Sequence, residues 1–144
     1  MLETYVGGSN EATRNITIVA ATNTLGGREA FTVGSVIYVR ADIYSADLSV
    51  SRAALLVHEG YHVQQFAQQS AYYVALSSAL AQLIPNGQGY SYVSRLGDNF
   101  YDLNVEQQAT LVTDRYLLSV GAVPSVSNVT LAQLNGIIGV ALAP

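Results

Sequence analysis

Two histidines are present in the chain, and they lie four residues apart with a glutamate after the first: His58-Glu59-Gly60-Tyr61-His62. On an α-helix, positions i and i+4 share a face, so both imidazoles can reach one point in space. A Zn²⁺ ion at that point accepts neutral ring nitrogens at about 2.0–2.1 Å. Glu59 is then placed to act as general base on a water polarised by the metal. The segment therefore has to form a helix, and the rest of the fold has to bring a third ligand to it.

The surroundings of the motif fit a buried helix. Ala53-Ala54-Leu55-Leu56-Val57 leads in, and Val63, Gln64, Gln65 and Phe66 follow, so apolar residues flank a polar stripe. Gly60 inside that helix costs about 1 kcal/mol relative to Ala, which predicts close backbone approach or room for a metal or substrate. The chain has 144 residues, enough for one compact domain over 1–144. It has no cysteine, which excludes disulfides and thiolate ligands. The formal net charge is −4, and the six basic residues, all arginine, form no cluster, which argues against nucleic acid as a partner. Residues 1–10 do not read as a secretory signal, and no apolar run reaches the roughly 18–20 residues of a membrane span. A cytoplasmic location and export by a non-classical route both stay open.

Hydrophobic patterning predicts an α+β fold. Residues 15–21 alternate and are β-branched, which reads as a strand. Asn23 to Gly27 supply a turn. Glu29 to Arg40 read as a second strand interrupted by a bulge or tight turn at Gly34-Ser35, and the two are expected to form a small antiparallel sheet. Asp47 or Ser49 caps the motif helix, which runs to about Gln69. Ser70 to Ile84 is helical in pattern, as a continuation or a second helix, and Pro85-Asn86-Gly87 ends it. A Gly/Tyr/Asp-rich connection over 86–103 follows, of a length that is often functional. Asn104 reads as an N-cap with Gln107 as its capping-box partner, and that helix stops at Gly121. Thr130 and Gln133 open a last short helix, whose end over 137–142 fits helix or strand.

Catalytic zinc takes three protein ligands and keeps one open position. With no further histidine and no cysteine, the third ligand must be a carboxylate, and Asp98, Asp102, Glu106 and Asp114 are the candidates. Glu106 is preferred, because it falls in the first turn of a rigid helix, where the helix dipole also favours a carboxylate. Asp114 is the rival. It lies eight residues on, roughly 80° round and ~12 Å along the axis, so both cannot easily hold one ion. Asp114 could instead accept the outer N–H of a ligating histidine, or pair with Arg115. For a second donor to a developing oxyanion, Tyr61, Tyr90, Tyr92, Tyr101, Tyr116 and Arg115 all come into consideration.

Three stretches carry a family resemblance: Phe31 to Val39, Leu55-Leu-Val-His-Glu-Gly-Tyr-His-Val-Gln-Gln65, and Asn104-Val-Glu-Gln-Gln-Ala109 with Asp114. Over roughly residues 28–116 the chain resembles the small bacterial HExxH, gluzincin-like metallopeptidase domains. Those occur alone or attached to polymorphic toxins and to proteins of contractile injection and secretion systems. The resemblance implies a compact zincin-like fold, with a small sheet, an active-site helix and two or three further helices. It implies His58, His62 and Glu106 as zinc ligands, Glu59 as base, a peptide or protein substrate, and a parent toxin or secretion-system protein as a partner. The better-known gluzincin pattern has Asp four residues after the ligand Glu, and Thr110 stands there instead. The expected activity is zinc-dependent peptide hydrolysis. The competing expectation is a non-catalytic module, stapled by its metal or forming part of a larger effector. A His₂Glu donor set suits Zn²⁺ best, while Co²⁺, Ni²⁺ and Cu²⁺ also fit it.

Overall fold

The computed structural model describes residues 15–22, 27–44 and 50–141. Strands β1 (Thr17–Ala21), β2 (Ala30–Val33) and β3 (Val36–Arg40) come first. Helices α1 (Ala41–Tyr44), α2 (Val50–Gln68), α3 (Ala71–Leu83), α4 (Val105–Ser119) and α5 (Leu131–Ala141) follow, giving an α+β fold. Asp47, Ser49, Asn23 to Gly26, residues 1–10 and Leu142 lie outside the described residues.

The sheet is mixed, not antiparallel as expected. Its order is β1-β3-β2, with β2 antiparallel and β1 parallel to β3. The stretch 29–40 is two strands, because Gly34 (φ +59°) opens a two-residue turn between them. That turn commits one edge of β3 to β2. β1 then takes the other edge, where its direction matches that of β3. Alternation reports a strand's faces and is silent about its partner, so the parallel pairing could not be read from the pattern. The consequence for the site is that β2 is an edge strand among the described residues.

Helix α2 is buried nearly all round. Leu55, Leu56 and Val63 pack with Ala30, Ile37 and Val39 of the sheet, while Val57 and Tyr61 pack with Ala109 and Val112 of α4. Gly60 is buried within it. The chain breaks before α3, where Ser70 caps the new helix by accepting the Tyr73 N–H at 3.2 Å. The 85–103 connection is a series of short 3₁₀ turns. It is pinned at Gly89, where a Cβ would fall 2.0 Å from the Ala81 carbonyl oxygen, so only glycine fits.

At the start of α4, Asn104 Oδ1 accepts the Gln107 N–H at 2.9 Å, and Gln107 Oε1 accepts the Asn104 N–H at 3.1 Å, completing the capping box. Both side chains also donate to the connection, Asn104 to the Gly89 carbonyl and Gln107 to the Ser91 carbonyl. The first helical turn that carries Glu106 is therefore held from both sides. Thr130 and Gln133 exchange hydrogen bonds at the start of α5. Its described end is helical, with Leu134 and Ile138 on one face buried in the same core as Val112. No helix among the described residues is long and apolar enough to cross a membrane.

Candidate metal centre

Helix α2 presents His58 and His62 one turn apart, and α4 brings Glu106 to them from across the core. His58 Nε2 and His62 Nε2 are 3.2 Å apart. Glu106 Oε2 lies 3.2 Å from His58 Nε2 and 3.4 Å from His62 Nε2. Three ligands at zinc bond lengths and tetrahedral angles are separated by about 3.3–3.5 Å. The observed triangle has that size, so these three atoms could hold a tetrahedral ion. Their separations exceed the ~2.7–2.9 Å of a good charge-assisted hydrogen bond.

The groups behind the donors fix which atom faces inward. Gln65 Oε1 lies 2.7 Å from His62 Nδ1, and an amide oxygen can only accept, so Nδ1 carries the proton. In the neutral ring, the lone pair is then on Nε2, facing His58 and Glu106. Gln65 is itself held, donating to the Val105 carbonyl at 3.1 Å and to Gln108 Oε1 at 2.9 Å. The Ser78 hydroxyl of α3 donates to Glu106 Oε1, leaving Oε2 for the cluster. Glu59 sits beside the triad, with the Thr32 hydroxyl of β2 donating to its Oε2 at 2.7 Å.

Glu106 is buried, at 3% exposure. Burial alone would raise its pKa, yet hydrogen bonds from His58 and His62 hold it well below the usual carboxylate range. For His62, burial is the largest single influence and works against the charged form, but the Glu106 carboxylate, with Glu59 and Gln65 adding to it, moves the imidazole upward. Without a cation between them, Glu106 and His62 thus favour the carboxylate–imidazolium pair.

The other candidates are placed elsewhere. Asp98 pairs with Arg95 at the surface, and Asp102 is exposed in a 3₁₀ turn. Asp114 is fully buried but does not touch either histidine. It accepts the Tyr92 hydroxyl at 2.7 Å, the Ser125 N–H at 2.6 Å and hydroxyl at 2.5 Å, and the Val126 N–H at 3.1 Å, tying the segment after α4 back onto that helix. The outer-partner role expected of Asp114 falls to Gln65 instead. Thr110, at the position where the gluzincin pattern has Asp, is buried and lines the cleft. Arg115 bonds Asn135 of α5 and not Asp114.

Of the five tyrosines, Tyr90 alone lines the cleft. Burial and then the Glu106 charge push its phenol upward, opposed by Arg28 and by a hydrogen bond with Gln82. Tyr61 is buried against Phe100, and Tyr92 is committed to Asp114. Tyr101 is exposed and Tyr116 is in the core. Gln65, Ser78 and Thr32 are not marked by the motif. The one available signal is a Gln pair inside an otherwise apolar helix, three residues past a histidine.

The site opens into a cleft of about 1140 Å³, lined mainly by apolar residues of β2, α2 and α3. Comparison with known proteins found no matching family model, curated relative or solved structure.

Proposed function

We propose that the chain is a zinc-dependent metallopeptidase of the gluzincin-like HExxH kind, with His58, His62 and Glu106 as ligands and Glu59 as general base. The observation that carries this reading is the donor triangle of 3.2, 3.2 and 3.4 Å. A structural staple would need the triangle alone. Glu59, turned to the same cleft and held by Thr32, favours catalysis.

Bound zinc supplies Lewis acidity and brings the pKa of a coordinated water towards about 7. Glu59 Oε2 is engaged by Thr32, so Oε1 takes the proton and later hands it to the leaving amine. Tyr90, the one candidate tyrosine that lines the cleft, would donate to charge developing on the substrate oxygen. Gln65 and Ser78 keep His62 and Glu106 aimed.

A peptide substrate is favoured by the edge strand. The Glu29 carbonyl accepts the Arg40 N–H at 2.9 Å, so residues 29, 31 and 33 face β3. The N–H and C=O of Ala30 and Thr32 point the other way, into the cleft side, where an extended chain can add as a further strand.

The test is metal content after dialysis, together with peptide hydrolysis. Wild type should hold one zinc per chain, Glu106→Ala should lose most of it, and Glu59→Gln should keep zinc while losing turnover. Hydrolysis undiminished in Glu59→Gln, or no metal in the wild type, would end this reading.

A further inference from the structure

We propose that Arg28 seats a substrate carboxylate on the C-terminal side of the cleaved bond. The cleft would then select peptides that either end, or carry an acidic side chain, within about three residues of that bond. This rests on the peptidase reading above.

Among the described residues, Arg28 is the only arginine lining the cleft. It stands just ahead of β2, and its guanidinium donates across to Gln82 Oε1 on α3. That contact joins the edge-strand wall to the α3 wall. Gln82 in turn donates to the Ser78 hydroxyl at 3.1 Å, and Ser78 donates to Glu106. One amide and one hydroxyl therefore separate the guanidinium from the ligand carboxylate. At ordinary hydrogen-bond lengths this is on the order of 10 Å at most, the span of about three extended residues.

Strand direction gives the polarity. β2 runs from the Arg28 end of the cleft towards Val33, and its outward groups are those of Ala30 and Thr32. A chain added antiparallel, the slightly more stable arrangement, runs the opposite way, so its C-terminal end arrives at Arg28. The charges of the cleft limit where an anion can sit. Glu29 and Glu59 line the same space and repel a carboxylate, whereas the guanidinium fork matches its geometry. An attractive side chain set apart from these two repulsive ones also fixes substrate register.

The test uses zinc-loaded protein and hydroxamate-headed peptides, whose head group chelates the metal, with binding read by calorimetry. Three ligands are compared: a Leu-Phe free acid, its C-terminal amide, and a Leu-Glu amide. Acetohydroxamate alone reports on the metal centre. The wild type should bind the free acid about tenfold more tightly than the amide. Arg28→Gln should abolish that preference and Arg28→Lys should keep part of it. The Leu-Glu amide matching the free acid would support a side-chain carboxylate as the natural ligand; matching the Leu-Phe amide would support the chain terminus. Equal binding of acid and amide by the wild type, or a preference that survives Arg28→Gln, overturns the role of Arg28 while acetohydroxamate binding leaves the metal centre standing. No binding of acetohydroxamate removes the metal centre and this inference with it.

Discussion

Gln65 Oε1 lies 2.7 Å from His62 Nδ1, and Gln65 is buried to 1% exposure in the interface between α2 and α4. The same amide donates to Val105 and Gln108, so the orientation of His62 is coupled to the start of the helix that carries Glu106. One side chain sets the tautomer of one donor and the approach of another. The partner on the outer nitrogen is a neutral amide, which orients the ring without adding negative charge behind it.

Gln65→Leu removes this partner at similar size. Zinc affinity should fall about 10–100-fold, the usual cost of losing an outer-sphere partner. Gln65→Glu restores the acceptor for His62 but sets a carboxylate oxygen against the Val105 and Gln108 oxygens, so it should recover only part of the affinity. Competition against a chelator measures both. Unchanged affinity in Gln65→Leu would mean that His62 is oriented by its packing alone.

Thr32→Val keeps the shape of β2 and deletes the donor to Glu59. With one hydrogen bond to a charged group lost, turnover should fall about tenfold or more. Metal content should stay at the wild-type level, since Thr32 touches no donor atom. Steady-state kinetics beside elemental analysis separates the two effects; loss of metal with Thr32→Val would show that β2 supports the donor triangle itself.

Much of this site is local chemistry, and local chemistry is legible in a sequence. His58 and His62 meet because i and i+4 share a helix face, and Asn104 with Gln107 places Glu106 in a first turn. The corrections concern relations between distant segments. Asp114 reads as a polar residue near the site, but its partners Ser125 and Val126 belong to a segment that folds back after Gly121. Gln65 meets Val105 and Gln108 forty or more residues away. The parallel pairing of β1 with β3 likewise depends on which edge the Gly34 turn has already occupied.

Asp114 and Glu106 should therefore separate cleanly in experiment. Asp114→Ala leaves the Tyr92 hydroxyl and two backbone N–H groups without their acceptor inside the protein. Each such group costs about 1–3 kcal/mol, so a stability loss of about 3 kcal/mol or more is expected by urea denaturation. Zinc stoichiometry of the folded fraction should not change. A variant that loses zinc while keeping its stability would return Asp114 to the metal site.

The metal-free and zinc-loaded forms should respond to pH with different slopes. In the metal-free chain, His62 is held above its ordinary value of 6.5 by Glu106. The stability this supplies is fully present below 6.5 and is lost as pH rises through the elevated folded value. Glu106 is held below its ordinary 4.5, so its contribution is present above 4.5 and is lost as pH falls towards the depressed folded value. The contribution of this cluster to metal-free stability is then greatest between 4.5 and 6.5. With zinc bound, both imidazoles must be neutral, so protons compete with the metal: stability should rise with pH up to about 6.5, where the His62 contribution to the metal-free form is level, and stay level above it, where the metal-free form declines. Thermal melts with chelator and with excess zinc, at about pH 5, 6.5 and 8, test this. Parallel slopes in the two conditions would mean that the ion does not sit between His62 and Glu106.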